Sequence, residues 1–162
     1  MEIYLMQHGP AMPKDQDPEE GLSPEGKDSI HAGGQALKKM GIGFDAILSS
    51  PKKRSKETAA IVAEEVGFPV GKIVETKKVK AMTSPEETVQ ALSELSGVRR
   101  VLIAGHLPSL AELASFLLTE GSKAMVQFEM GGCCLIEVDA LPTHSGRLRW
   151  YLPPFQLKLV AS

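Results

Sequence analysis

Arg100-Val101-Leu102-Ile103-Ala104-Gly105 runs without a break into His106-Leu107-Pro108, and then into Leu110, Leu113, Ala114, Leu117 and Leu118. The first segment is short and almost continuously apolar, which reads as a strand covered on both faces. The apolar positions after Pro108 fall at i, i+3, i+4, i+7 and i+8, the spacing of one helix face. A buried strand passing directly into an amphipathic helix is the repeating unit of α/β folds.

The same alternation extends in both directions. Glu2–Gln7 is a short apolar run rich in β-favouring residues, followed by a loop over Pro10–Leu22 that carries Pro10, Pro13 and Pro18. Loops of that length in compact domains are uncommon and often act as lids or binding loops. Ser23-Pro24 predicts a helix start, with serine as cap and proline at the first helical position. That helix is expected to reach about Met40, to end at Gly41 and Gly43, and to bury Ile30, Gly33, Gly34, Leu37 and Met40. Asp45–Ser49 is a second buried strand, and Ser50-Pro51 repeats the cap ahead of a helix reaching about Val66. Lys72–Thr76 is a short third strand, and Ser84 with Glu87 forms a capping box for a third helix. Cys133–Val138 and Arg147–Leu152 pair antiparallel across the turn at Leu141–Gly146 and close the chain. The expectation is one α/β domain over residues 1–162, a three-layer sandwich whose mainly parallel sheet is flanked by helices.

Composition narrows the function. With 18 Lys and Arg against 20 Asp and Glu, the net charge of −2 gives no drive toward nucleic acid or an anionic membrane. The lysines at 72, 77, 78 and 80 are interrupted by Glu75, lack interleaved aromatics and read as a solvated face. No apolar run approaches the ~18 residues that span a bilayer, and with no basic stretch ahead of the first strand no signal peptide is expected. The two cysteines, Cys133 and Cys134, are strand neighbours that point to opposite faces, so they read as small apolar residues rather than a disulfide or metal site. Cysteine usage of this kind fits a reducing cytoplasm. No phosphate-binding P-loop, dinucleotide fingerprint, CxxC pair or EF-hand loop is present.

In open parallel sheets, ligands bind beyond the carboxyl ends of the strands. Three such ends carry chemistry here: Gln7-His8-Gly9, Ser49-Ser50-Pro51 with Arg54 just beyond, and Gly105-His106-Leu107-Pro108. Parallel strands would bring His8, His106 and Arg54 to one rim. Helix starts offer free N–H groups and a positive dipole end, arginine adds bidentate donors, and Gly9 permits close backbone approach. An imidazole attacks phosphorus covalently and splits one hard step into two easier ones, while the other donors stabilise the transferring group.

These stretches resemble the motifs of the histidine phosphatase superfamily, the phosphoglycerate-mutase-like fold. Gln7-His8-Gly9 is similar to its Arg-His-Gly signature, and Ser50-Pro51-Lys52-Lys53-Arg54-Ser55-Lys56-Glu57-Thr58-Ala59 to its Ser-Pro-x-x-Arg-x-x-x-Thr-Ala helix start. Gly105-His106-Leu107-Pro108 is similar to its second-histidine motif, and Leu22-Ser23-Pro24-Glu25-Gly26 to its Leu-Thr-x-x-Gly segment. The motifs occur in family order, and the short chain resembles the SixA branch of bacterial phosphohistidine phosphatases. The resemblance implies His8 as nucleophile, Arg54 and His106 as phosphoryl-binding and stabilising groups, and Gln7 and Gly9 in the phosphate site. It implies no metal and no cofactor. The departure is Gln7, which stands where the family carries arginine; an amide donates a hydrogen bond but supplies no charge. Lys14, Lys52 and Lys53 are candidate substitutes whose placement the sequence does not give.

Thr76–Arg99 holds one helix and its connections, leaving no room for the insertion that covers small sugar phosphates in mutase-like relatives. The pocket is therefore expected to be open, as suits a phosphoryl group presented on a protein surface. Glu86 and Glu87 read as first-turn acids complementing the helix dipole, and no general acid is assigned. The expected activity is phosphatase action on protein phosphohistidine. The alternatives are a small-molecule phosphomonoesterase and, because of Gln7, a non-catalytic phosphate- or phosphoprotein-binding module. Expected partners are accordingly a phosphorylated protein or a small phosphorylated substrate, with no nucleic acid or membrane.

Overall fold

The structure is a computed structural model describing residues 1–162. Six strands form one sheet: β1 (Glu2–Gln7), β2 (Ala46–Ser49), β3 (Val74–Glu75), β4 (Arg100–Gly105), β5 (Cys133–Glu137) and β6 (Arg147–Leu152). Their spatial order is β3-β2-β4-β1-β5-β6. The pairs β1–β4, β2–β4 and β2–β3 are parallel, while β5 runs antiparallel to both β1 and β6. The helices are α1 (Pro24–Lys39), α2 (Lys53–Val66), α3 (Pro85–Ser93), α4 (Ser109–Leu118) and α5 (Pro154–Ala161).

Period-two alternation along the strands builds two cores. Ile3 and Leu5 of β1 face α3 and α4 together with Val101, Ile103 and Cys134. Tyr4 and Met6 face α1, α2 and α5 together with Leu102, Ala104 and Cys133. The adjacent cysteines thus lie in different cores, both as free thiols. This is the expected α/β sandwich, helices covering both faces of a mostly parallel sheet. At Gly34, a Cβ would stand 2.7 Å from Cβ of Glu65, so a glycine is what lets α1 lie against α2. His31 Nδ1 meets Glu65 Oε1 at 2.8 Å across the same contact, a structural role for that histidine.

Five local readings change. Met40, expected on the buried face of α1, is exposed just past the helix end at Lys39. Ser50 does not cap α2; the helix begins at Lys53 behind Lys52, with no side-chain cap. The third strand keeps only Val74 and Glu75, because an edge strand with both residues exposed has just β2 to hold it. Helix α5 follows β6, where the reading ended the chain on a strand; Pro153-Pro154 opens it and Leu157 buries against the α1 side of the sheet. The loop over Pro10–Leu22, read as a lid or binding loop, is fastened to α2. Asp17 accepts the amides of Glu19 at 3.0 Å and Gly21 at 2.9 Å and pairs with Lys53 at 2.9 Å. The Leu22 amide donates to Glu57 Oε2 at 2.6 Å, so both ends of the acidic stretch are tied to the first turns of α2.

Candidate active site

Register places the two histidines. Gln7 of β1 lies beside Gly105 of β4 in a parallel pair, so the next residues, His8 and His106, leave the sheet at the same level of adjacent strands. Their ring centroids stand 5.0 Å apart at an interplanar angle of 56°. Strand β2 ends at the same edge, Ser49 beside Ala104, and the chain turns there into α2, whose second residue is Arg54.

Hydrogen bonds fix the nucleophile candidate in one tautomer. His8 Nδ1 lies 2.7 Å from the Gly9 carbonyl, and a carbonyl only accepts, so Nδ1 carries the proton. Nε2 then bears the lone pair, and Arg54 Nε donates to it at 3.2 Å. Burial lowers the His8 pKa below the ordinary 6.5 and the Arg54 charge lowers it further, while the Gly9 carbonyl works the other way. His106 is 3% exposed. Its pKa is held down to about 3, chiefly by burial and then by the positive charge it would share with His8, Arg54 and Lys52. Both rings are thus neutral at pH 7.

Neutrality has a consequence for stability. The unfolded chain protonates these histidines near 6.5; in the folded chain both resist protonation, His106 until about pH 3. Stability is therefore full above about pH 6.5 and falls as pH drops from there toward 3, His106 contributing at most about 1.4 kcal/mol per pH unit and His8 acting in the same direction. Urea unfolding between pH 7 and pH 5 reads this slope. His106→Asn is expected to flatten it; a variant with the parent's slope contradicts the burial of a neutral ring.

The other expected contacts fall unevenly. The Gly9 amide donates to Thr58 Oγ1 at 3.2 Å, and a Cβ at Gly9 would meet Ile30 Cγ1 at 2.8 Å. The close approach that demands glycine is therefore to helix α1, and the Gly9 N–H already has a partner. Gln7 is nearly buried, with Oε1 lacking any hydrogen-bond partner. Ser50, read as a helix cap, lies with Oγ 2.5 Å from His106 Nε2 and accepts the Lys52 amide at 3.3 Å. Nothing in the Ser-Pro pair distinguishes this role from that of Ser23 or Ser84, which do cap.

A cavity of about 450 Å³ adjoins His106 and Arg54 and is lined by Lys52, Arg54, Lys80, Met82, Glu87 and His106, among others. Met82 is 86% exposed, which leaves that wall open to solvent. Glu87 enters the lining although its position suits a first-turn acid. Lys80 is exposed, as read, and also lines the cavity, whereas Lys78 lies outside it and pairs with Glu94 at 3.4 Å. A larger cavity of about 780 Å³ lies at the opposite edge of the sheet. Its charges serve the fold: Arg100 pairs with Glu2 at 2.7 Å, and Asp45 accepts the Arg99 and Arg100 amides at 2.9 Å each. Ligands bind at the carboxyl edge of such sheets, and the histidines are there.

A mainly parallel sheet with two neutral imidazoles and an arginine gathered at its carboxyl edge defines an α/β protein suited to handling an oxyanion. A family model described as histidine phosphatase superfamily (branch 1) matches residues 3–78, which supports placing the chain with that superfamily. That match supports phosphatase chemistry of the histidine type. An uncharacterised protein of Picosynechococcus sp. is 26% identical over 117 residues, 70% of this chain and 71% of that protein. Among solved structures, the protein histidine phosphatase SixA complexed with tungstate superposes with a TM-score of 0.84 at 23% identity, covering 98% of this chain and 100% of that one. A mycobacterial glucosyl-3-phosphoglycerate phosphatase complexed with VO3 gives 0.73 at 14%, covering 94% and 99%. The α-ribazole phosphatase of Shigella flexneri gives 0.68 at 16%, covering 92% and 95%. At these identities the structural likenesses establish the fold. No helix is long and apolar enough to cross a membrane.

Proposed function

We propose that the chain is a phosphohistidine phosphatase that works through a covalent phosphoryl group on His8. The observation that carries this reading is the unprotonated Nε2 of His8, presented to the Arg54 guanidinium beside a second neutral imidazole. Nε2 attacks phosphorus in line, the bond from phosphorus to the substrate nitrogen breaks, and the departing imidazole keeps that electron pair and leaves neutral because its other ring nitrogen carries a proton. Water then attacks the phosphoryl group on His8, releasing inorganic phosphate and restoring Nε2. Arg54 bears the charge of the equatorial oxygens in both steps, and His106 donates a hydrogen bond to the same group. A protonated P–N leaving group needs little help from an acid, and the exposed Met82 wall leaves room for a phosphoryl group presented on a protein. The tetrahedral oxyanion held by the SixA relative is consistent with such a pocket.

One observation favours a second reading. Glu87 is the carboxylate in the lining of the cavity, and a carboxyl group there would serve an alkoxide leaving group, as in a small phosphomonoester. A panel of a phosphohistidine-bearing protein, free phosphohistidine and small phosphate esters separates them. Turnover is expected on the phosphohistidine substrates. Rapid ester hydrolysis with none on phosphohistidine selects the second reading, and phosphate binding without turnover on any substrate defeats both.

A further inference from the structure

The superfamily's first-motif arginine is replaced by Gln7, whose Oε1 is buried without a partner and which does not line the cavity. A phosphoryl dianion facing Arg54 alone would lack half of its countercharge. We propose that Lys52 and Lys80 together supply the missing charge, binding the non-bridging oxygens of the phosphoryl group from the cavity beside Arg54 and His106. This rests on the cavity being an oxyanion site, the reading given above.

Four observations converge on this pair. Both lysines line the same cavity as Arg54 and His106. Neither is held by a carboxylate, whereas Lys53, Lys56 and Lys78 pair with Asp17, Glu75 and Glu94 at 2.9, 3.7 and 3.4 Å. Lys53 is thereby removed as a substitute, and Lys14 lies outside the lining. Each backbone is also fixed. The Lys52 carbonyl accepts the Ser55 and Lys56 amides at 3.0 Å and its own amide donates to Ser50, so it is anchored at the start of α2. Lys80 ends a 3-10 turn stapled by Thr83 Oγ1 to the Lys77 carbonyl at 3.0 Å and by Thr88 Oγ1 to the Lys78 carbonyl at 2.7 Å, over a buried Val79. Finally, the charges balance: Lys52, Arg54 and Lys80 against Glu87 leave two positive charges, the countercharge of a phosphoryl dianion. An ammonium acts as a point charge where a guanidinium offers a planar fork. Affinity is therefore recovered with less geometric discrimination among tetrahedral anions than an arginine would give.

Calorimetric titration with inorganic phosphate at pH 7 tests the proposal without any turnover. Lys52→Met and Lys80→Met are each expected to weaken phosphate binding about tenfold, the scale of one charge-assisted hydrogen bond. The double variant should lose more than either and show a flatter dependence on salt. Gln7→Arg in the double variant should restore a large part of the loss, and Lys77→Met, an exposed neighbour outside the cavity, should change nothing. Parental affinity in the double variant, or a parent with no measurable phosphate affinity, overturns the proposal. A parent that binds phosphate through these lysines but leaves phosphohistidine intact defeats the proposed activity and leaves the anion site standing.

Discussion

His8→Ala is expected to lower phosphohistidine hydrolysis by on the order of 10⁴-fold or more, the scale on which the loss of a covalent nucleophile is felt. The chain should still fold, because His8 is only half-buried and its ring makes no contact that the cores depend on. Quenching the parent enzyme in base during turnover should trap an acid-labile phosphate on His8, since a phosphorylated imidazole survives base and not acid. His8→Ala should trap none. His8→Asn separates packing from chemistry: an amide fills part of the space but has no imidazole nitrogen to phosphorylate, so it should be as inactive as alanine. Undiminished turnover in either variant, or label recovered on His106 instead, would overturn the assignment.

The parts of this site were unequally legible. The rim was readable because parallel strands end at one edge, and the apolar runs of β1, β2 and β4 each pass straight into a polar residue with chemistry. The register that sets His8 beside His106 follows from Gln7 lying beside Gly105, a pairing between residues 98 positions apart that no local signal carries. Ser50 was misread for a related reason. Three Ser-Pro pairs look alike in sequence, but only Ser50 lies within reach of His106 from another strand, and that contact replaces the cap. Gly9 was read as room for a ligand, when the neighbour needing the room is Ile30 of α1. Lys80 looked like one of four surface lysines. What separates it from Lys78 is a turn stapled by Thr83 and Thr88 and a carboxylate, Glu94, within reach of the other. The sheet was thus visible as pattern, whereas the roles of Ser50, Gly9 and Lys80 depend on what lies opposite them in space.

Arg54→Ala is expected to cost roughly 10²–10³-fold in kcat, the usual loss when one preorganised donor to a developing oxyanion is removed. Its effect should extend to the pH profile, because Arg54 touches the nucleophile as well as the anion. The guanidinium donates to Nε2 at 3.2 Å and its charge depresses the His8 pKa. Attack requires neutral Nε2, so the acid limb of the rate profile follows that pKa: a depressed value keeps the parent active at lower pH. Removing the charge lets the pKa rise back toward 6.5, and the acid limb should move to higher pH in Arg54→Ala. Arg54→Lys restores a positive charge without the fork, so it should hold the acid limb near the parent's while recovering only part of kcat. That split distinguishes two jobs in one side chain, since a group that merely supported the fold would move neither the limb nor its lysine rescue in this pattern. An Arg54→Ala variant with parental kcat and an unmoved acid limb would remove Arg54 from the reaction and leave His8 without the cation that its geometry presents to it.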